Sequence, residues 1–387
     1  MHIQVAKRLQ HTQEYYFSKK LREIDEMNRA GKNVINLGIG SPDLPPAQEV
    51  IDTLITYSKM ANTHSYQSYK GIPELRSAIA SWYLDKYQVN LDPNSEVLPL
   101  IGSKEGVMHI CMTYLQEGDE ALVPNPGYPT YSSAVRLSGA TPIFYNLKEE
   151  NDWLIDFEEL EGQDLSKVKL MWVNYPHMPT GKKACEEFLN QLIAFGKKHN
   201  ILICHDNPYS FILSEKPISI LQCPGAKEVA IELNSLSKSS NMAGWRIGML
   251  IGNEKRIEEI LRFKSNMDSG MFKPLQLAAV KALQLDENWY KKLNQVYANR
   301  KAWVHKILDL LGCSYAVDQV GLFVWARTNL DQYNSGYELS NYILENANVF
   351  ITPGGIFGDN GDAYIRISLC ANETVLEESF NRIKDIL

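Results

Sequence analysis

Ser235-Leu236-Ser237-Lys238-Ser239-Ser240-Asn241-Met242-Ala243-Gly244-Trp245-Arg246-Ile247-Gly248 follows an apolar run at 228–233 and leads into another at 247–251. A lysine delivered just past a buried strand, among small hydroxyl residues, is suited to imine chemistry. Partial desolvation lowers its pKa, and the free amine can attack an aldehyde. Arg246 lies eight residues on, flanked by glycines, so its guanidinium can approach a phosphate closely and bidentately. Ser235 and Ser237 offer hydroxyl donors to the same anion. A solvated surface loop would account for a lone lysine, but not for this company.

Working outward, short apolar runs alternate with helical stretches between about residues 90 and 255. This predicts an α/β domain around a largely parallel sheet. Strands are expected over 96–101, 121–124, 169–174, 201–204 and 228–233, with 247–251 as an antiparallel addition. Polar residues cluster just after these runs. In open α/β sheets ligands bind beyond the carboxyl ends of strands, so the pattern predicts one site assembled from several strand exits. Residues 11–30 read as an amphipathic helix ending at Gly31, 286–311 as a long helix, and the last hundred residues as a smaller α+β domain.

Composition narrows the partners. The 387 residues carry 39 Lys and Arg against 46 Asp and Glu, a formal charge of −7. A mildly acidic chain has no broad basic surface for nucleic acid or anionic lipid. No apolar run approaches a membrane span, and residues 1–21 lack a signal-peptide core. The six cysteines are scattered without a Cys-x-x-Cys pair. That argues against a metal cluster or disulfide framework and for free thiols in a reducing cytoplasm.

Four further positions carry chemistry. Asp206 ends the run 201–204 in His205-Asp206-Asn207-Pro208-Tyr209, and a buried carboxylate there needs a cationic partner. A protonated pyridine nitrogen is one such partner; helix capping is the plainer alternative. Gly102-Ser103-Lys104-Glu105-Gly106 joins a strand to a helix, so its amides can form an anion nest, although alone it reads equally as a tight turn. Tyr128, in Pro126-Gly127-Tyr128-Pro129, offers an aromatic face at a strand exit. Arg366, in Tyr364-Ile365-Arg366-Ile367-Ser368, is either an edge charge or an anion receptor.

Taken together, these segments resemble the pyridoxal-phosphate (PLP) aminotransferases of fold type I, the aspartate aminotransferase superfamily, over nearly the whole chain and in the same order. The resemblance implies a large PLP-binding domain with a mainly parallel mixed sheet flanked by helices. It adds a smaller α+β domain built from both termini, with boundaries at 1–44, 45–285 and 286–387. It makes Lys238 the Schiff-base lysine and the base that moves the substrate proton. Asp206 then faces the pyridine nitrogen, Tyr209 the phenolic oxygen and Tyr128 the ring. Ser103, Lys104, Ser235, Ser237 and Arg246 hold the phosphate. Arg366 grips the substrate carboxylate, and Gly40 of Asn36-Leu37-Gly38-Ile39-Gly40 approaches the substrate.

Tyr66, in Tyr66-Gln67-Ser68-Tyr69-Lys70-Gly71, resembles the tyrosine that crosses a homodimer to the neighbouring phosphate, with Tyr69 as the competing candidate. Glu14-Tyr15-Tyr16-Phe17 resembles the N-terminal segment of LL-diaminopimelate aminotransferases, which makes Tyr15 a substrate contact. The expected reaction is transamination of an L-amino acid, with an acidic or dicarboxylic donor, and a 2-oxo acid such as 2-oxoglutarate. A same-fold C–S β-lyase and a non-catalytic PLP-binding module are the alternatives. One position departs from the family: where it reads Asn-Pro-Thr-Gly, this chain has Met178-Pro179-Thr180-Gly181. Met178 has no donor for the phenolic oxygen, which is therefore expected to hold the Schiff-base proton to higher pH. Asn174 and His177 are the candidates to compensate.

Overall fold

The computed structural model describes residues 3–10 and 14–387. Its strands are β1 (Ile35–Asn36), β2 (Val97–Leu100), β3 (Glu120–Asn125), β4 (Thr141–Asn146), β5 (Val168–Asn174), β6 (Leu202–Asp206), β7 (Ala230–Ser235), β8 (Gly248–Ile251), β9 (Phe323–Arg327), β10 (Val349–Phe350), β11 (Thr352–Pro353) and β12 (Tyr364–Ser368). Seven of them form one sheet in the order β2-β8-β7-β6-β5-β3-β4. Only β8 runs against its neighbours, pairing antiparallel with β2 and β7. β5, β6 and β7 are buried along nearly their whole length, which is why they read as continuous apolar runs.

A second sheet, β11-β12-β9, is antiparallel, and β1 pairs in parallel with β10. The chain near residue 36 is thereby stitched to the segment around residue 350. The helix Glu287–Leu310 bridges the two hydrophobic cores, giving Tyr290 to the first and Leu293 and Tyr297 to the second. Its start is set by Asp286, whose side chain accepts from the backbone N–H groups of Asn288 and Trp289.

Three local expectations need correction. Residues 228–229 belong to a short helix, Ala226–Val229, launched by Gly225 in a left-handed turn, and the strand begins at Ala230. β6 continues through Asp206, so that carboxylate sits on the strand and caps no helix. β4 was not foreseen; it pairs in parallel with β3 at the sheet edge. The helix expected over 11–30 is Tyr16–Arg29, and residues 11–13 lie outside the described residues. Among the described residues no helix is long and apolar enough to cross a membrane.

Candidate active site

The carboxyl ends of β2, β3, β5, β6 and β7 open onto one cavity of about 610 Å³. The helix that starts at Tyr16 and the β9–β12 sheet wall it on the far side, through Phe17, Phe323 and Arg366. A cavity of this size suits a cofactor together with a small substrate.

Lys238 sits in the short helix Leu236–Ser239 immediately after β7. Its Nζ donates to the Gly40 carbonyl at 2.7 Å. Burial lowers its pKa, and the nearby Arg366 and Arg246 guanidiniums lower it further, while Cys370 and Asp206 act in the opposite direction. Asp206, 5% exposed, accepts from the Tyr131 hydroxyl through Oδ2 at 2.8 Å. Its Oδ1 is buried without a partner. Desolvation pushes this carboxyl up to about 6, against the Tyr131 hydrogen bond, which favours the charged form.

Gly102 caps the helix Ser103–Tyr114 with φ 86° and ψ 155°, a conformation open essentially to glycine alone. A Cβ there would also lie 2.2 Å from Arg246 Nη2. The turn and the guanidinium thus share one corner, with Ser235 and Ser237 beside it. Ser235 Oγ accepts from Ser237 N–H at 3.1 Å and lies 2.8 Å from Ser237 Oγ.

Arg366 is 3% exposed and held in an aromatic box. Its guanidinium carbon lies 3.8 Å from the Phe323 ring centre, 4.6 Å from Phe357 and 5.6 Å from Phe17. Nη2 donates to Gly38 O at 2.7 Å and Nη1 to Met178 Sδ at 3.2 Å, while Nε is buried without a partner. With only neutral neighbours in contact, burial brings its pKa down to about 10. Among the described residues no carboxylate is paired with it.

Lys104 extends from the nest turn over the Tyr15 ring, 4.7 Å from its centre. Burial and Arg246 both lower its pKa. Tyr128 and Tyr209 line the cavity and are raised by burial. Asn174 lines it too, but its amide donates to Asp206 O at 2.6 Å and its carbonyl accepts from Met178 N–H. His177 turns away to Thr180 Oγ1, at 2.8 Å. Neither is drawn toward the position left without a donor by Met178.

The cavity therefore brings together every expected site residue except Tyr66, which is 90% exposed on the surface. Sequence reasoning missed Tyr131, which donates to Asp206 and stacks on Trp172 at 5.1 Å and 4°. Its position one helical turn after Tyr128, just past a strand exit, was the available signal. The phenylalanines around Arg366 carried none, being spread over three distant segments.

These residues fit PLP. An unpartnered buried carboxylate oxygen suits a protonated ring nitrogen, the glycine-built nest with Arg246 suits a phosphate, and the partly buried amine of Lys238 suits an aldehyde.

Comparison with known proteins agrees. The profile of the aminotransferase class I and II family matches residues 32–383. The chain is 40% identical over 382 residues to the LL-diaminopimelate aminotransferase of Halothermothrix orenii, covering 98% of each. It is 39% identical over 374 residues to that of Aquifex aeolicus, covering 96% of each. The substrate-bound BacF structure from Bacillus subtilis superposes with a TM-score of 0.94 at 37% identity, covering 100% of this chain and 98% of the other. Aspartate aminotransferase of Thermus thermophilus, at 22% identity and a TM-score of 0.92 over both full chains, shares the fold. The chain belongs to the class I and II aminotransferases and is a PLP-dependent enzyme of fold type I.

Proposed function

We propose that the enzyme moves an amino group from a dicarboxylic L-amino acid to a 2-oxo acid such as 2-oxoglutarate, using the residues gathered in the cavity. When bound, PLP supplies an aldehyde for covalent capture of the amino group and an electron sink that acidifies the substrate Cα–H. Asp206, through its free Oδ1, would hold the ring nitrogen, with Tyr131 fixing its other oxygen. Tyr209 would lie toward the phenolic oxygen and Tyr128 against the ring, while Asn174, its amide spent on the Asp206 carbonyl, would brace the strand end behind them. Ser103, Ser235, Ser237, Arg246 and the backbone of Lys104 would hold the phosphate.

Arg366 exchanges its neutral neighbours for the substrate α-carboxylate, a bidentate pair that orients the Cα–H bond. Lys238 would take and hold the proton from the substrate Cα, and the Gly40 carbonyl gives its amine a fixed acceptor while it does so. Tyr15 and Phe17 exclude water from above. Tyr66 reaches the phosphate of a second copy in a homodimer. That reading is supported by the large apolar side chains left exposed at Tyr66, Tyr69, Met267 and Phe272.

The observation that carries the donor class is Lys104. It is a cation on the cavity wall, and no described carboxylate is paired with it. A distal carboxylate supplies that partner, and diaminopimelate, named in the relatives, has one at each end. The test is a donor screen with 2-oxoglutarate, comparing LL-diaminopimelate, glutamate and aspartate with leucine and phenylalanine. Dicarboxylic donors are expected to lead in kcat/KM, and Lys104→Met to lower theirs about tenfold while sparing the others. A screen led by monocarboxylic donors, or equal losses for both classes, refutes the donor class. Pyruvate release from a cysteine thioether without amino transfer would favour the lyase reading.

A further inference from the structure

On the face of the sheet opposite Asp206, by the alternation along β6, lies a buried pair that the chemistry above does not use. His205 and Glu232 are cross-strand partners in the parallel β6–β7 ladder, and both side chains are fully buried. Nδ1 of His205 lies 2.9 Å from Glu232 Oε2, and Nε2 lies 2.9 Å from the Tyr175 carbonyl. A carbonyl only accepts, so Nε2 carries a hydrogen. Glu232 Oε2 already accepts from Ile220 N–H at 3.1 Å and Ser219 Oγ at 2.9 Å, and Oε1 from the Tyr83 hydroxyl at 2.8 Å. A carboxylate with that set of donors accepts from Nδ1 as well. The ring therefore donates from both nitrogens, and the two groups form an ion pair in which both ring protons and both carboxylate oxygens are engaged.

What the pair holds is the rear of the site. His205 immediately precedes Asp206 on β6. Tyr175, whose carbonyl it grips, lies between Asn174, which donates to Asp206 O, and Met178, whose N–H donates to Asn174 Oδ1. One imidazole thus ties the strand carrying the carboxylate to the loop carrying Asn174 and Met178. Its charge also acts on Asp206: His205 favours the carboxylate and Glu232 opposes it.

We propose that His205 and Glu232 are positioning residues of the transamination centre, a buried ion pair that sets the placement of Asp206 by tying β6 to the loop that follows β5. This rests on the reading that Asp206 faces the cofactor ring. The charged and titratable groups around the pair are Tyr83 and Tyr87 of the helix Pro73–Tyr87, Cys223, Asp206 and, beyond it, Lys238.

The test compares holoenzymes of wild type, His205→Gln, Glu232→Gln, the double variant and Asp206→Asn. Each is followed by melting temperature, PLP dissociation constant and the pH midpoint of the cofactor's visible absorbance. Each single variant is expected to weaken PLP retention about tenfold and to displace the midpoint. The double variant should lose less than the product of the two single losses, because a lone buried charge is worse than none. A fall in melting temperature with unchanged retention and midpoint would mean packing alone and overturn the proposal. Unchanged retention in Asp206→Asn would instead overturn the reading beneath it. Should a single variant fail to fold, histidine-selective 15N spectra of the wild-type chain decide. Two exchange-protected ring N–H groups on His205, displaced by added PLP, support the proposal; one ring proton, or no response to PLP, overturns it.

Discussion

Asp206→Asn is expected to make the cofactor-free protein more stable and the loaded protein less so. The carboxyl is buried with one oxygen unpartnered, and desolvation raises it from 3.8 to about 6. Each unit corresponds to about 1.4 kcal/mol, so the 2.2-unit difference between 6 and 3.8 amounts to about 3 kcal/mol. The sign follows from proton linkage. The folded chain holds this proton more tightly than the unfolded chain does, so folding stability falls as pH rises from 3.8 to about 6 and stays lower above that window. Asparagine does not ionise, and its carbonyl still accepts from Tyr131.

Urea titrations of the PLP-free proteins at pH 4, 6 and 8 measure the difference. The variant should match wild type to within about 1 kcal/mol at pH 4 and exceed it by up to about 3 kcal/mol at pH 8. Adding PLP should reverse the order. Removing one partner of a buried charge pair costs about 3–5 kcal/mol, which corresponds to PLP binding weaker by roughly two to four orders of magnitude. A stability gap independent of pH, or a variant less stable than wild type at pH 8 without PLP, would refute the argument. Either result would mean that the carboxylate is solvated or paired in the empty site.

Three other substitutions probe separate corners. Arg366→Lys removes the planar fork while keeping a charge, and should raise KM for amino donors about 10- to 100-fold with the cofactor spectrum intact, measured by steady-state kinetics. Gly102→Ala places a Cβ against Arg246 in a backbone region closed to alanine; a penalty of about 1–3 kcal/mol predicts roughly 5- to 100-fold weaker PLP retention, read by dialysis and absorbance. Met178→Asn restores an amide donor, and the pH midpoint of the visible absorbance should move down by about one unit. An unmoved or rising midpoint would show that the thioether, which now accepts from Arg366, leaves no deficit at the phenolic oxygen.

What the sequence made legible was whatever follows a strand. Lys238, Asp206, Ser103 and Tyr128 each stand at or just past the end of a buried run, and a parallel sheet carries all such ends to one edge. Contacts made by register or by chain reversal left no comparable mark. Tyr131 meets Asp206 across 75 positions, and His205 meets Glu232 only because β6 and β7 align at that residue. β4 was hidden because only Tyr145 among its six residues is buried, so its pattern lacks the apolar signal of its neighbours. The aromatic box around Arg366 draws on residues 17, 323 and 357, which no window of sequence contains.

The segment from Gly38 to Asp43 links these corners mechanically. Two of its carbonyls face the two basic side chains proposed to act on substrate: Gly38 O accepts from Arg366 Nη2, and Gly40 O from Lys238 Nζ, each at 2.7 Å. A Cβ on Gly40 would lie 2.1 Å from the Phe323 ring, so the backbone can come this close only without a side chain. Beyond it, Asp43 is clamped by both terminal nitrogens of the buried Arg300, at 2.6 and 2.9 Å, and Arg300 in turn donates to Leu369 O just past β12. On the proposed function, a substrate carboxylate arriving at Arg366 would compete directly with the Gly38 carbonyl for one guanidinium nitrogen. Loosening that end acts on a segment whose other end is fixed, and the carbonyl between them is the one that aims the amine of Lys238. Carboxylate recognition and the direction of the base would thus be joined through two peptide units, so a substrate lacking its α-carboxylate should lose rate as well as affinity.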